Sequence, residues 1–402
     1  MRHPSLEYLL VACVAAIASF VLTPIARRVA IKIGAVAKPR DRDVHAVAIP
    51  RMGGVAIFAG FALGLFVASR LPTLGEGFKI GPEMPWVVAS AAIICGIGVL
   101  DDMYELDSLT KLAGQALATG LMVTKGAVQL GTIYLPGVGG GSTFTFDRNL
   151  GIPVTIILTL LTINALNFID GLDGLAAGVS TIAAIAFFVF AYHLAQDGFT
   201  GSASPPTLLA AALAGTCIGF LPHNFFPAKI FMGDSGSMMV GLILSASATT
   251  ATTTVDPQVF NSALGTLPLY LPLIIPAAVL ALPFVDLLLA VVRRVARGRS
   301  PFAPDKQHLH HRLLEIGHSH RRAVLLLYFW SAVVAFAGVG LSFEGSQWVV
   351  LWLLVTLVVV GLLVSLVPTA RHRRTPGPAV AGATRHRERL KAREPSGQGG
   401  KR

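Results

Sequence analysis

Charged residues are scarce in this chain of 402 residues: Asp, Glu, Lys and Arg make up 13% of it, whereas 53% is hydrophobic. A soluble domain carries about 25% charged residues, so this chain has too little charge to cover a water-facing surface of its size. The hydrophobic residues come in uninterrupted blocks of helix-spanning length. The low charge therefore argues against a large soluble protein and indicates an integral membrane protein.

Cysteine is also rare, and the motifs of several common sites are missing. Cys13, Cys95 and Cys217 all lie in apolar blocks and form no CxxC pair, so neither a disulfide framework nor a zinc site is expected. The absence of a GxxxxGK[ST] stretch argues against a P-loop nucleotidase. The net charge is +11, but Lys and Arg lie between the apolar blocks and in the C-terminal tail. This distribution predicts contact with lipid and not with nucleic acid.

The apolar blocks predict an all-α membrane protein with about eleven spans, because a bilayer core of ~30 Å needs ~20 helical residues. The predicted spans are 6–26, 53–70, 84–100, 110–125, 151–167, 174–194, 207–222, 236–254, 266–290, 323–342 and 347–367. The Gly-rich segment 131–148 alternates weakly and predicts a short external hairpin. Residues 1–367 are thus expected to form one membrane domain. Residues 368–402 are expected to form a basic, disordered cytoplasmic tail, which either contacts anionic lipid or only directs topology.

The loops give an orientation, because cytoplasmic loops carry an excess of Lys and Arg. One side of the predicted bundle holds 27 of the 32 Lys and Arg residues. This bias predicts an external N-terminus and a cytoplasmic C-terminus.

The few acidic residues are the most informative feature, because several stand at predicted cytoplasmic helix ends. They are Asp101, Asp102, Asp170, Asp173, Asp234 and Asp286. A lone Asp at a helix end is commonly a cap, and Asp286 has the alternative of pairing with Arg293 or Arg294. Adjacent carboxylates repel each other unless a cation lies nearby. Hard oxygen ligands without a thiolate suit Mg²⁺ or Mn²⁺, which often complete their shell with substrate phosphates. The pattern therefore predicts a phosphorylated substrate.

The same side supplies cations and imidazoles. Segment 293–322 carries Arg299 and the cluster His308, His310 and His311. A zinc site lacks a nearby Cys, and a solvated basic loop accounts for the arginines better than for three histidines in four positions. Segment 27–51 adds further basic residues, including Lys38 and Arg51, which suit a pyrophosphate.

Five blocks of the chain, in order, resemble the signatures of the polyprenyl-phosphate N-acetylhexosamine-1-phosphate transferases. They are IPRMGG (49–54), GVLDDMYELDSLTKLAGQ (98–115), NALNFIDGLDGLAAG (164–178), FFPAKIFMGDSGSMMVG (225–241) and RGRSPFAPDKQHLHHRLLEIG (297–317). The resemblance covers roughly residues 5 to 365. The last block is similar to the branch that uses UDP-N-acetylglucosamine (UDP-GlcNAc). The peptidoglycan branch usually has three consecutive histidines, whereas Leu309 interrupts them here.

The resemblance implies roles for individual residues. Asp101, Asp102, Asp170, Asp173, Asp234 and His310 are expected to be catalytic, with Asp234 and Asp170 as ligands of Mg²⁺ or Mn²⁺. Substrate binding is expected of Lys111, Asn167, Phe231, His308, His311, Arg299, Lys38 and Arg51. Among these, Lys111 matches a phosphate contact and Phe231 matches the aromatic that stacks on uracil.

The implied reaction transfers GlcNAc-1-phosphate from UDP-GlcNAc to a polyprenyl phosphate and releases UMP, as the first membrane step of a cell-wall polymer. The expected location is the bacterial inner membrane, with the active site facing the cytoplasm; a homodimer is left open. One alternative is the same chemistry on UDP-MurNAc-pentapeptide. Another is a multi-pass cation transporter, but transport sites lie near the bilayer midplane, whereas most of these carboxylates are at helix ends.

Overall fold

The computed structural model describes residues 4–37, 48–135, 142–196, 203–253, 318–340 and 347–366, together with a few single positions between them. This part of the chain is mostly helical. The helices are α1 (Ser5–Ile33), α2 (Gly53–Ala68), α3 (Leu74–Ile80), α4 (Glu83–Tyr104), α5 (Ser108–Lys125), α6 (Arg148–Ile169), α7 (Leu175–Gln196), α8 (Pro205–Asn224), α9 (Gly233–Thr253), α10 (His320–Gly340) and α11 (Gln347–Leu366). Within the described ranges, ten of the eleven predicted spans coincide with a helix. The predicted span 266–290 lies outside them.

Two helices run past their predicted ends. Helix α1 continues beyond position 26 to Ile33 and stops at Gly34, whose φ of 80° is left-handed. Glycine adopts this conformation without steric cost and commonly ends helices. Helix α4 continues through the Asp pair to Tyr104. In both cases charged residues occupy the last turns, so the apolar block is shorter than the helix.

The described residues include six helices that are long and apolar enough to cross a membrane: α1, α4, α6, α7, α8 and α10. The prediction of a helical membrane protein is therefore confirmed, whereas the count of eleven crossings stays a prediction. Helix α9 is less apolar because it is rich in Ser and Thr, yet it is buried against α2, α4, α6, α7 and α8. Its hydroxyls pair with neighbouring helices: Ser245 lies 2.8 Å from the Thr159 hydroxyl. Such bonds between helices replace water in a membrane interior.

Two short antiparallel sheets connect the helices. Strands β1 (Val36–Ala37) and β2 (Ile49–Pro50) pair between α1 and α2. Strands β3 (Thr132–Leu135) and β4 (Ser142–Thr145) pair between α5 and α6, in the register Thr132↔Thr145. The predicted hairpin is thus present. Because β3 follows the far end of α5, the hairpin lies at the end of the bundle opposite the start of α5.

Alternating helix directions bring many chain reversals to one end of the bundle. The ends of α4, α6 and α8 meet the starts of α5, α7 and α9 there, and the segment 225–232 between α8 and α9 lies among them. This end also holds five of the six acidic residues singled out by the sequence; the sixth, Asp286, lies outside the described residues.

Candidate active site

Asp234, in the first turn of α9, is the centre of a polar cluster formed by four helices. The ammonium of Lys111 on α5 contacts its carboxylate. The amide nitrogen of Asn167 on α6 donates to its other oxygen at 2.7 Å. The Lys111 ammonium also lies 3.0 Å from Asp101 on α4 and 3.4 Å from the Asn167 oxygen. One half-buried cation therefore links a carboxylate from α4, a carboxylate from α9 and an amide from α6.

The adjacent residues Asp101 and Asp102 have different partners, because successive side chains on a helix point about 100° apart. Asp101 accepts the ammonium of Lys111 through one oxygen and the backbone N–H of Leu106 through the other, at 2.8 Å. Asp102 faces α9, where it accepts the backbone N–H of Asp234 at 3.0 Å and the hydroxyl of Ser235 at 2.8 Å. Both carboxylates are buried.

Asp173 lies just before α7 and binds backbone. Its carboxylate accepts the N–H of Ala228 at 2.9 Å, and it is almost fully buried. Asn224 provides a second link, because its side chain accepts the N–H of Gly174 and donates to the carbonyl of Ile230. These contacts attach the segment 225–232 to the start of α7.

Phe231 lies in that segment, and its backbone is bound on both sides. Its N–H donates to the carbonyl of Pro50 at 2.8 Å, and its carbonyl accepts the N–H of Gly53 at 3.0 Å. A Cβ atom on Gly53 would lie 2.6 Å from that carbonyl oxygen, so this close approach requires glycine. The ring of Phe231 is half-buried.

Asp170 follows the last residue of α6. Burial, followed by the negative charges of Asp234 and Asp102, raises the pKa of Asp170 to about 8. The positive charge of Arg51 opposes this rise in pKa. The site thus holds more negative charge than Lys111 and Arg51 balance, which favours binding of a further cation.

The structure therefore brings together Asp101, Asp102, Lys111, Asn167 and Asp234 through direct contacts. The charge of Asp170 interacts with those of Asp234, Asp102 and Arg51. Asp173 and Phe231 are anchored through the segment 225–232. The remaining predicted residues, Lys38, Arg299, His308, His310 and His311, lie outside the described residues.

Sequence reasoning missed several residues that support the site. Ser235 and Ser237 bind Asp102 and Asn167 respectively, and Asn224 holds the segment 225–232. Gln115 accepts from Asn164 at 2.8 Å one helical turn deeper. The sequence marks these residues only by their polarity, since each is an uncharged polar residue near a helix end or within an apolar block.

The oxygen donors of the site fit a small divalent cation. Asp234, Asp170 and Asp101 are carboxylates, which are hard ligands of the kind Mg²⁺ prefers. Within the described ranges, no group of three or more His, Cys, Asp or Glu side chains is arranged to hold a metal ion. Mg²⁺ typically takes one or two protein carboxylates and keeps waters and substrate phosphates as its other ligands.

The fold and the cluster define a helical membrane protein whose carboxylates and lysine gather at one end of the bundle. Residues 84–252 match the family described as glycosyl transferase family 4. The decaprenyl-phosphate N-acetylglucosaminephosphotransferase of Mycobacterium tuberculosis is 46% identical over 92% of this chain and 90% of its own length. The enzyme of that name from Mycolicibacterium smegmatis is equally similar over the same shares. The undecaprenyl-phosphate alpha-N-acetylglucosaminyl 1-phosphate transferase of Salmonella typhi is 28% identical over 83% of both chains.

The chain belongs to glycosyl transferase family 4 and, within it, to the polyprenyl-phosphate N-acetylhexosamine-1-phosphate transferases. The predicted family is thereby confirmed.

Proposed function

We propose that this protein transfers GlcNAc-1-phosphate from UDP-GlcNAc to a polyprenyl phosphate, giving polyprenyl-diphosphate-GlcNAc and UMP. The cluster of Lys111, Asp101, Asp234 and Asn167 is the observation that carries the proposal. Phosphoryl transfer depends mostly on positioning and on neutralising charge, and this cluster offers a cation among hydrogen-bonding groups. The names of the two mycobacterial relatives supply the sugar and the lipid class.

In this reaction an oxygen of the lipid phosphate attacks the β-phosphorus of UDP-GlcNAc. The bond from that phosphorus to the bridging oxygen breaks, and UMP leaves with the electron pair. Lys111 holds negative charge on phosphate oxygens. The lipid phosphate has a second pKa near 6, so it is largely ionised at pH 7 and needs little help from a base.

Mg²⁺ is the cofactor we propose, held by Asp234 and Asp170. When bound, it would supply charge neutralisation at the pyrophosphate and the leaving UMP. Asn167 orients the Asp234 carboxylate through its 2.7 Å hydrogen bond. Phe231 is proposed to stack on uracil, and His308, His310 and His311 to contact the pyrophosphate and the sugar.

The membrane arrangement is part of the proposal. Eleven crossings with an external N-terminus place the polar cluster and the basic tail on the cytoplasmic side of the bacterial inner membrane. The positive-inside distribution of Lys and Arg supports this orientation. The hairpin of β3 and β4, at the opposite end of the bundle, would then be external.

The relatives do not favour transfer of phospho-MurNAc-pentapeptide, since the three compared above are named for N-acetylglucosamine. Transport of cations is not favoured either, because the described carboxylates of the cluster lie at helix ends and not at mid-membrane.

The purified protein tests the proposal when it is incubated with Mg²⁺, polyprenyl phosphate and either radiolabelled UDP-GlcNAc or UDP-MurNAc-pentapeptide. Labelled lipid and UMP should form from UDP-GlcNAc. Asp234→Asn, which keeps the side-chain shape but removes a charge, should lower kcat by orders of magnitude. Label transfer only from the MurNAc substrate, or from neither, would refute the proposed reaction.

A further inference from the structure

The two oxygens of the Asp102 carboxylate are both taken up by the first turn of α9. One accepts the N–H of Asp234 at 3.0 Å. The other accepts the N–H of Ser235 at 3.2 Å and the Ser235 hydroxyl at 2.8 Å. A carboxylate at this position also complements the positive end of the helix dipole. Asp102, although it belongs to α4, therefore caps α9 from a neighbouring helix.

The surroundings of Asp102 leave no space for a substrate group on its α9 side. Asp102 and Asp101 are equally buried, so the contacts on the α9 side are what set Asp102 apart. Gly233 has a φ of 70°, and a Cβ atom on it would lie 2.5 Å from an Asp102 oxygen. One turn earlier on α4, a Cβ atom on Gly98 would overlap the backbone of Ser235. The backbones of α4 and α9 thus meet directly beside this carboxylate.

Asp101 has a different environment, although it is the preceding residue. Its carboxylate shares the Lys111 ammonium with Asp234, in the part of the site where phosphate chemistry is proposed. We infer that the pair divides its work: Asp101 faces the reacting groups, and Asp102 is a positioning residue that holds the first turn of α9. By fixing that turn, Asp102 directs the Asp234 side chain toward Lys111 and Asn167. This role of Asp102 rests on the proposed function where turnover is measured and on the proposed metal site where Mn²⁺ affinity is measured, whereas unfolding in EDTA depends on neither.

The inference predicts that Asp102 and Ser235 act as one unit. Residues in one hydrogen-bond network show non-additive effects, whereas independent residues show additive ones. Loss of a partner that orients a metal ligand typically lowers metal affinity or activity by about 10- to 100-fold. Ser235→Ala, which removes only the hydroxyl bond, should therefore weaken Mn²⁺ binding about 10-fold, at the lower end of that range. Asp102→Asn should weaken it at least as much.

The experiment compares wild type, Asp102→Asn, Ser235→Ala and the double variant. Mn²⁺ affinity, measured by electron paramagnetic resonance, needs no turnover, so it remains informative if the proposed reaction fails. Thermal unfolding of the same four proteins in EDTA gives a second cycle that needs neither metal nor substrate. The Mn²⁺ affinity of the double variant should lie within about twofold of that of Asp102→Asn. Its unfolding temperature should likewise match that of Asp102→Asn. Should Asp102→Asn fail to fold, Ser235→Ala alone still tests the inference through its Mn²⁺ affinity.

A matched control is Asp147→Asn, because the Asp147 carboxylate caps α6 by accepting the N–H of Leu150 at the other end of the bundle. This variant should leave Mn²⁺ affinity unchanged. The inference is overturned if the effects of Asp102→Asn and Ser235→Ala on affinity multiply. It is equally overturned if Asp102→Asn abolishes turnover while Mn²⁺ affinity and unfolding stay at wild-type values, since a direct contact with the reacting atoms would give that result.

Discussion

Replacing Lys111 with Met tests the electrostatics of the cluster most directly. Met keeps the length and most of the apolar volume of the side chain but removes the ammonium that Asp101 and Asp234 share. The Lys111 side chain is only 17% exposed, and that of Asp101 only 9%. The substitution therefore leaves two carboxylates facing each other with little water between them.

Removing one partner of a buried ion pair typically costs about 3–5 kcal/mol, because the remaining charge is left uncompensated. We expect a loss near the lower limit, about 3 kcal/mol in the free energy of unfolding, since the Asp234 side chain is 29% exposed and retains some hydration. A divalent cation held by Asp234 and Asp170 would compensate the Asp234 carboxylate, which is one of these two. Added Mg²⁺ should therefore stabilise Lys111→Met more than it stabilises wild type, while turnover stays low because the phosphate contact is lost.

The assay is denaturant unfolding of the purified protein in mixed micelles, in EDTA and over a range of Mg²⁺ concentrations. Lys79→Met is the control, because Lys79 forms a surface pair with Glu76 in which both side chains are more than 60% exposed. Exposed pairs contribute about 0–1 kcal/mol, so this variant should unfold nearly as wild type does. The reasoning is refuted if Lys111→Met and Lys79→Met are equally stable in EDTA. It is also refuted if Mg²⁺ does not reduce the difference in unfolding free energy between Lys111→Met and wild type.

Three further predictions concern the metal, the topology and the uracil site. EDTA should abolish activity, and Mg²⁺ or Mn²⁺ should restore it, as expected for hard oxygen ligands; full activity in chelator would contradict the metal assignment. In a background without the native cysteines, Asp305→Cys should be shielded from impermeant thiol reagents in intact cells and Gly140→Cys should be labelled; the reverse would overturn the orientation. Phe231→Ala should raise the KM for UDP-GlcNAc about 5- to 150-fold with a smaller fall in kcat, because stacking contributes ~1–3 kcal/mol per base. UMP inhibition as strong as in wild type, in a well-folded Phe231→Ala protein, would exclude stacking.

The helices could be predicted well from the sequence, because a span of apolar residues reflects the thickness of a membrane. Their ends could not, as α1 shows: the apolar block stops near position 26, but Arg27, Arg28 and Lys32 continue the helix to Ile33. Basic residues stabilise the C-terminal end of a helix. A prediction from hydropathy ends the helix before them, because it counts only apolar residues. The short helix α3 was not predicted either. Its first turn depends on Glu7, whose carboxylate accepts the N–H of Leu74 at 2.9 Å from a distant part of the chain.

The composition of the candidate site could be predicted as well, because carboxylates are rare enough in this chain for each to stand out. The division of roles within it could not be predicted. Asp173 binds the backbone of Ala228 and Asp102 binds that of Ser235, although both resemble catalytic acids in sequence. These partners lie 55 and 133 residues away along the chain. The packing of α4 against α9, and of the segment 225–232 against the start of α7, decides which carboxylate binds backbone and which contacts Lys111.

The separation of Asp102 from α9 along the chain has a consequence for how the protein is made. A ribosome adds about 5–20 residues per second, so the 133 residues between Asp102 and Ser235 take roughly 7 to 27 s to synthesise. Throughout this interval α4 is already available for insertion, while the backbone groups of α9 that will bind Asp102 do not yet exist. A charge deep in the bilayer would oppose insertion during such a wait. At the end of a span, the nascent Asp102 carboxylate can stay hydrated at the membrane surface until α9 arrives and displaces the water.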